Sequence, residues 1–437
     1  MIYLVTTQKQ LFDLPNNISF ATVKECLDYC WQLDSIGVDT ETTGFDPYTC
    51  DILSLQLGDA EHQYVIDISS VSIQCFKDLL ESKELLLQNA KFDLKFLYRY
   101  DIIPNKIYDT YLAEMILTTG ILNHRRGLDA LVKRYCTNVT LDKEIRGVIH
   151  KEGLSSRVIV YAARDVAYLH EIREKQIVKI NDNGLRMALK LDNWFVRALA
   201  YIEFCGIGFD SEKWNKKSDE DLIKLEKLKG ELDKWVEENK PAYVNNQYDM
   251  FSEGLSCDIN WNSSHQVIPL FKELGVDTSV LDKDTGKDKD SVDVKLLEKQ
   301  KDVHELIPKY IEYSKAHKLT TTYGKDFLNT ISPITGRIHT TYKQILATGR
   351  MSSGEKNKKR GVNYPNLQNI PSDKRHRECF VSEKGNKMVV CDYSGQEDII
   401  FANYCQDPVL LKFYEDKLGD GHSYVAKLCF KELVDID

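Results

Sequence analysis

Two periodicities divide the chain. In residues 35–42 (SIGVDTET), 51–58 (DILSLQLG) and 62–68 (HQYVIDI), apolar or β-branched residues recur at every second position, which predicts three strands. Gly58-Asp59, between the last two, predicts a hairpin turn. Beyond Val71 the spacing of apolar residues becomes three and four. It predicts helices over 90–100, 108–118, 127–136 and 155–180. Strands followed by helices imply an α/β domain over residues 1–185.

The next region, 186–330, reads as mostly helical. Residues 219–238 (DEDLIKLEKLKGELDKWVEE) carry Leu and Ile at helical spacing among alternating charges. They predict a long, exposed, amphipathic helix, one half of an antiparallel pair. The polar stretch 282–293 (DKDTGKDKDSVD) reads as a loop. From 331 to 437 strand character returns. Residues 336–344 (GRIHTTYKQ) alternate, and residues 387–395 (KMVVCDYSG) read as an apolar strand ending in a carboxylate. There is no internal repeat and no low-complexity tract.

Composition changes this picture little. A chain of 437 residues exceeds one hydrophobic core, and its 42% hydrophobic and 29% charged content is ordinary globular usage. No apolar run is long enough for a bilayer, and the N-terminus lacks a signal pattern. The eleven cysteines are scattered with no CxxC pair, which implies free thiols in a reducing compartment. Cys26 and Cys30, four apart on a predicted helix, read as packing.

A net charge of −9 argues against a nucleic-acid partner if taken in bulk. Two basic clusters qualify that argument: Lys356, Lys358, Lys359 and Arg360, then Lys374, Arg375, His376 and Arg377. Each reads equally as part of a DNA track or as a solvated loop.

Candidate chemistry begins with Asp39 and Glu41. Two apart on a predicted strand, they project from one face. Such a pair is either an exposed edge or a site for a hard divalent cation such as Mg²⁺. Asn89 and Asp93 lie four apart on a helix, and so do Tyr161 and Asp165. The ordered set DxE, NxxxD, YxxxD resembles the three motifs of the DnaQ-like, RNase H-fold proofreading exonucleases, in the form found in DNA polymerase I-like enzymes.

The resemblance implies two metals, Mg²⁺ with Mn²⁺ as a substitute. It implies that Asp39 bridges them, that Glu41 and Asp165 complete one site and that Asp93 supports the other, partly through water. It further implies that Tyr161 orients the attacking water. Phe92 and Phe45 read either as stacking residues for a single-stranded DNA 3′ end or as core. Asn89 reads as positioning backbone.

Further along stand TGRMSS (348–353), YPNLQNIP (364–371) and CDYSGQE (391–397), preceded by KLTTTY (318–323). In this order they resemble the family A (DNA polymerase I-like) polymerases. The resemblance implies that Asp392 holds metal for an incoming dNTP, with Tyr393 beside it and Glu397 as the gate against a ribose 2′-OH. It implies that Arg350, Gln368 and Asn369 touch the minor groove of a primer–template end, and that Arg377 and His422 contact phosphates. The sequence departs from the family in the basic insert GEKNKKRGVN (354–363) and in DYSGQED at motif A.

The implied architecture is an RNase H-like exonuclease domain (1–185), a helical thumb (186–330) and the start of an α+β palm (331–437). The fingers helix and the second palm aspartate of the family are not found in these residues. The expectation is therefore an exonuclease that polymerises only when joined by a C-terminal polymerase half. The early position of Asp39 resembles a bacteriophage layout, and the resemblance implies the cytoplasm of a bacterial cell or phage-infected host. An RNase D-like exoribonuclease shares the acidic motifs but leaves 348–397 unexplained. A non-catalytic DNA-binding half of a split polymerase is the third reading.

Overall fold

The computed structural model describes residues 1–136, 152–245, 256–282, 286–357, 362–416 and 419–430. The chain divides into two compact units, Met1–Val381 and Ser382–Asp437.

The first unit opens with a seven-stranded mixed sheet in the order β2-β1-β5-β4-β3-β6-β7. Its strands are β1 (Ile2–Val5), β2 (Ile18–Ala21), β3 (Ser35–Thr42), β4 (Ile52–Gly58), β5 (Gln63–Asp67), β6 (Glu84–Leu87) and β7 (Lys106–Asp109). The three strands expected from alternation form the antiparallel centre, β5-β4-β3. The outer strands β1, β2, β6 and β7 add in parallel. The order of strands first and helices after is thus corrected, because β6 and β7 interleave with helices. Short parallel strands covered on both faces read as continuous apolar runs (IYLV, ELLL), which carry no period of two.

The helices are α1 (Val23–Cys30), α2 (Lys77–Ser82), α3 (Lys91–Arg99), α4 (Thr110–Leu117), α5 (Leu128–Tyr135), α6 (Ser156–Ala167), α7 (Leu169–Asp182) and α8 (Arg186–Cys205). The single helix expected over 155–180 breaks at Tyr168 into α6 and α7. Ser155 caps α6 by accepting the Val158 amide. Its Ile159, Ala162 and Ala163 pack on Leu4, Ile18 and Val65. A separate core joins Val38, Leu55 and Leu57 to α1, to Leu94 and Leu97 of α3, and to Val196 of α8. Cys26 and Cys30 are fully buried there, as packing residues.

A helical region follows: α9 (Ser211–Asn239), α10 (Ser264–Glu273), α11 (Val294–Glu298) and α12 (Leu306–Thr322). α9 runs antiparallel to α12. Trp214 and Lys217 donate to the carbonyls of Gly324 and Tyr323 at one end, and Trp235 donates to Glu305 at the other. The segment 282–293 is not all loop, because Asp288–Asp290 pairs with Ser279–Leu281. Ladder hydrogen bonds need no apolar side chain, and Lys289–Asp282 and Lys272–Asp290 ion pairs accompany them. The strand expected at 336–344 is two. Arg337–Ile338 pairs with Ile207–Phe209, and Tyr342–Lys343 pairs with Ser352–Ser353. At the basic insert Glu355–Asn357 pairs antiparallel with Val362–Tyr364, and Lys358, Lys359 and Arg360 lie outside the described residues. Residues 374–377 form a short helix, α13, with His376 fully buried, rather than a solvated loop.

The second unit contains α14 (Gln396–Cys405), α15 (Pro408–Glu415) and α16 (Gly421–Cys429), packed around Phe413 and Tyr424 with ring centroids 4.5 Å apart. The strand expected at 387–395 is absent. These residues are irregular, with Val389 and Val390 each 81% exposed. A strand needs a neighbour for its backbone groups, and the described residues of this unit supply none.

Candidate active site

β3 presents Asp39 and Glu41, both half-buried, directly opposite Gln56 and Ser54 of β4. Those two polar residues are fully buried, and Gln56 Nε2 donates to Ser54 Oγ at 2.6 Å. α6 lies against β3 and β4. Gly37 lets it do so: a Cβ there would sit 2.9 Å from the carbonyl oxygens of both Val166 and Gly58. This close approach brings Asp165, beside Val166, to the strand acids. One carboxylate oxygen from each of Asp39, Glu41 and Asp165 lies within 4.8 Å of the other two.

Three carboxylates so close repel by about 3 kcal/mol per pair at an effective dielectric near 20. A hard divalent cation removes that cost, and an all-oxygen, all-anionic donor set suits Mg²⁺ or Mn²⁺. The residues present therefore fit a divalent metal.

Tyr161, one helical turn before Asp165, is buried against Leu53, Leu154 and Val158. Asp93 is not one of the three clustered acids. β6 pairs with β3 only at Ser35–Gly37, and beyond that point Asp93 Oδ1 accepts the Thr40 amide at 3.1 Å and the Thr40 hydroxyl at 2.6 Å. Burial raises its pKa to about 7, against the lowering effect of those bonds.

Asn89 is left-handed, with φ 64°, at the turn into α3. Its amide and that of Ala90 donate to the two oxygens of Asp109, each at 2.9 Å. Asp109 also caps α4 through the amides of Tyr111 and Leu112. Burial raises its pKa to about 6. This organising residue was missed by sequence reasoning, which placed it inside a helix over 108–118. The signal was there, since Asp ahead of an apolar periodic run marks an N-cap. Gly37 and Gln56 carried no comparable local signal.

Phe45 is 59% exposed and stands edge-on to half-buried Phe92, centroids 6.4 Å apart. Phe92 also packs on Phe96, so it serves the core as well. Both rings line a cleft of about 530 Å³ whose other wall is the segment 341–347. Lys91, Lys95, Arg126 and Lys343 line it against Asp109 and Glu355. The three clustered carboxylates do not line this cleft.

Of the other expected residues, Arg350 is exposed at a turn closed by the Leu346 amide to its carbonyl at 2.8 Å. Gln368 and Asn369 are exposed on a 3₁₀ turn, and the Tyr323 hydroxyl donates to the Asn369 carbonyl. Arg377 is exposed on α13. Within the second unit, Asp392 and Tyr393 lie in the irregular segment, Tyr393 80% exposed. Glu397 starts α14 and His422 starts α16, both exposed. Asp392 therefore does not end a strand, which corrects the expectation.

Residues 15–180 match the family described as 3′-5′ exonuclease, and residues 226–436 match DNA polymerase family A. Two segments of the chain therefore resemble known families, a 3′-5′ exonuclease segment ahead of a DNA polymerase family A segment. Among its relatives, DNA polymerase I of Borreliella burgdorferi is 29% identical over 91% of this chain and 42% of its own length. DNA polymerase I of Aquifex aeolicus is 29% identical over 90% of this chain and 63% of its own length. The chain thus spans only part of these relatives. A solved structure, the POL domain of Pol1 from M. smegmatis in complex with DNA primer-template and dNTP, aligns with TM-score 0.66 at 23% identity. It covers 92% of this chain and 64% of that one, a likeness of fold. Among the described residues, no helix is long and apolar enough to cross a membrane.

Proposed function

We propose that this chain is a 3′-5′ DNA exonuclease joined to the leading part of a family A polymerase. The convergence of Asp39, Glu41 and Asp165 oxygens within 4.8 Å carries the reading. Asp39, Glu41 and Asp165 are the residues that would hold divalent metal, with Asp93 behind them on Thr40. Two bound Mg²⁺ or Mn²⁺ ions would supply a hydroxide nucleophile and neutralise the departing 3′ oxygen. Tyr161 orients the attacking water. Phe45 and Phe92 give terminal bases an aromatic surface that tolerates any sequence, and the cleft cations take the phosphates.

In the polymerase region, exposed Arg350, Gln368, Asn369 and Arg377 are available to a primer–template. Asp392, Tyr393, Glu397 and His422 would serve a dNTP once a C-terminal polymerase half is joined. Residues 186–330 act as the thumb and 331–437 as the start of the palm. Exposed apolar residues of the second unit, among them Val389, Val390 and Phe401, offer that half a surface to cover.

The test is Mg²⁺-dependent release of nucleotides from 3′-labelled single strands of DNA and RNA. Degradation of DNA, abolished by Asp39→Ala and by Asp165→Ala, is the expected result. Preferential degradation of RNA would favour the exoribonuclease reading, and unchanged cleavage in both variants would remove the metal assignment.

A further inference from the structure

The side chain of Glu203, near the end of α8, is 1% exposed. Four groups converge on its carboxylate. Lys91 Nζ lies 2.6 Å away and Lys95 Nζ 3.0 Å away, both from α3. The Tyr342 backbone amide donates at 2.6 Å and the Thr341 hydroxyl at 3.3 Å, both from the polymerase region. Lys91 also donates to the Tyr342 carbonyl. A second tie runs nearby: Gln344 Nε2 donates to the carbonyl and side chain of Asp192 on α8, at 2.9 and 2.8 Å.

We propose that Glu203 is a positioning residue for the nuclease cleft. Resting on the exonuclease reading, the proposal is that it sets the separation of the two walls, α3 and residues 341–345, between which the single strand leading to the 3′ end lies. The geometry is specific. Lys91 and Lys95 sit one helical turn apart on α3, flanking Phe92 and Asp93, so one carboxylate gripping both ammonium groups locks the rotation of that helix. The same carboxylate takes the amide of Tyr342, so the opposite wall is registered to it. Glu203 does not line the cleft and would not touch DNA. It binds two cations with one negative charge, so Lys91 and Lys95 keep a net positive charge on the wall. Buried charge networks of this kind hold geometry because removing one member strands the others. The polymerase region thereby helps build the nuclease cleft, which the position of Glu203 in the sequence does not suggest.

The experiment uses the full chain with two substrates. One is a single-stranded oligodeoxynucleotide, which needs the cleft. The other is the p-nitrophenyl ester of thymidine 5′-monophosphate, which needs only the carboxylate site. In Glu203→Gln the apparent KM for the oligonucleotide is expected to rise about tenfold, because the walls lose registry, while ester hydrolysis stays within about twofold of the parent. Glu203→Asp, which keeps the charge, is expected to recover part of the loss. It also carries the same KM comparison if Glu203→Gln does not melt cooperatively. Parental KM in folded Glu203→Gln, or equal loss on both substrates in a folded variant, would overturn the positioning role. A parent chain inactive on both substrates would instead overturn the exonuclease reading, and the proposal with it.

Discussion

Gly37→Ala probes the contact that assembles the acidic cluster. The added methyl would stand 2.9 Å from two backbone oxygens, of Gly58 and Val166, and 3.2 Å from Val166 Cβ. Neither oxygen belongs to a side chain that can swing away. Gly58 is held in register with Gly37 by the β3–β4 ladder, whose spacing is set by its hydrogen bonds. α6 is therefore the softer neighbour and must retreat by a few tenths of an ångström, taking Asp165 with it. Overpacking of this kind costs about 1–3 kcal/mol. In a unit running from Met1 to Val381 that lowers Tm by about 1–4 °C. On the proposed exonuclease reading, retreat of one carboxylate from the other two is expected to lower turnover by about 10- to 100-fold. Calorimetry with and without Mg²⁺, together with kcat on single-stranded DNA, reads both effects. The Mg²⁺-dependent rise in Tm should shrink along with the turnover. A Gly37→Ala chain with parental Tm and parental turnover would refute the argument that this glycine sets the helix–sheet distance.

Three other outcomes follow from the same geometry. Asp109→Asn places an amide donor against the Asn89 or Ala90 amide in a buried site and is expected to cost about 1–3 kcal/mol by denaturant melting. Burial raises the pKa of Asp109 from 3.8 to about 6, so its contribution is full below about pH 4 and is lost as pH rises through about 6. The variant should flatten the stability profile over that window, and an unchanged profile would count against it. His376 has the opposite sign: burial, then the Lys217 charge, lower its pKa below 6.5. The neutral ring accepts from Lys217 Nζ at 2.9 Å and donates from Nδ1 to Asp373 at 2.6 Å, with Asp221 paired to Lys217 nearby. Its stability contribution is present above pH 6.5 and lost as pH falls through the lowered value, and His376→Gln should remove that acid sensitivity in thermal melts. EDTA is expected to lower the parental Tm but to leave that of Asp39→Ala nearly unmoved, since only an intact cluster gains from a bound cation.

How much was legible depended on the range of the interaction. The central strands β3, β4 and β5 were readable because alternation is a local property, and so was α9, whose apolar stripe repeats at helical spacing over many residues. DxE fixed that Asp39 and Glu41 share a face, and YxxxD that Tyr161 and Asp165 share a side of one helix, because i+2 and i+4 geometry needs no knowledge of the rest of the chain. Pairing partners are not local. β6 and β7 took their places because neighbouring strands satisfied them, while residues 387–395, equally apolar, found no partner among the described residues and stayed irregular. Only the tertiary structure brought Asp165 to the strand acids through the space left at Gly37, set Asp93 on Thr40, hung the turns at Asn89 and Tyr111 from Asp109, and drew Glu203 between two lysines and a distant amide. Each of these joins residues far apart in sequence at contact distance, and it is packing and hydrogen bonding across that separation, rather than residue type or spacing, that decides them.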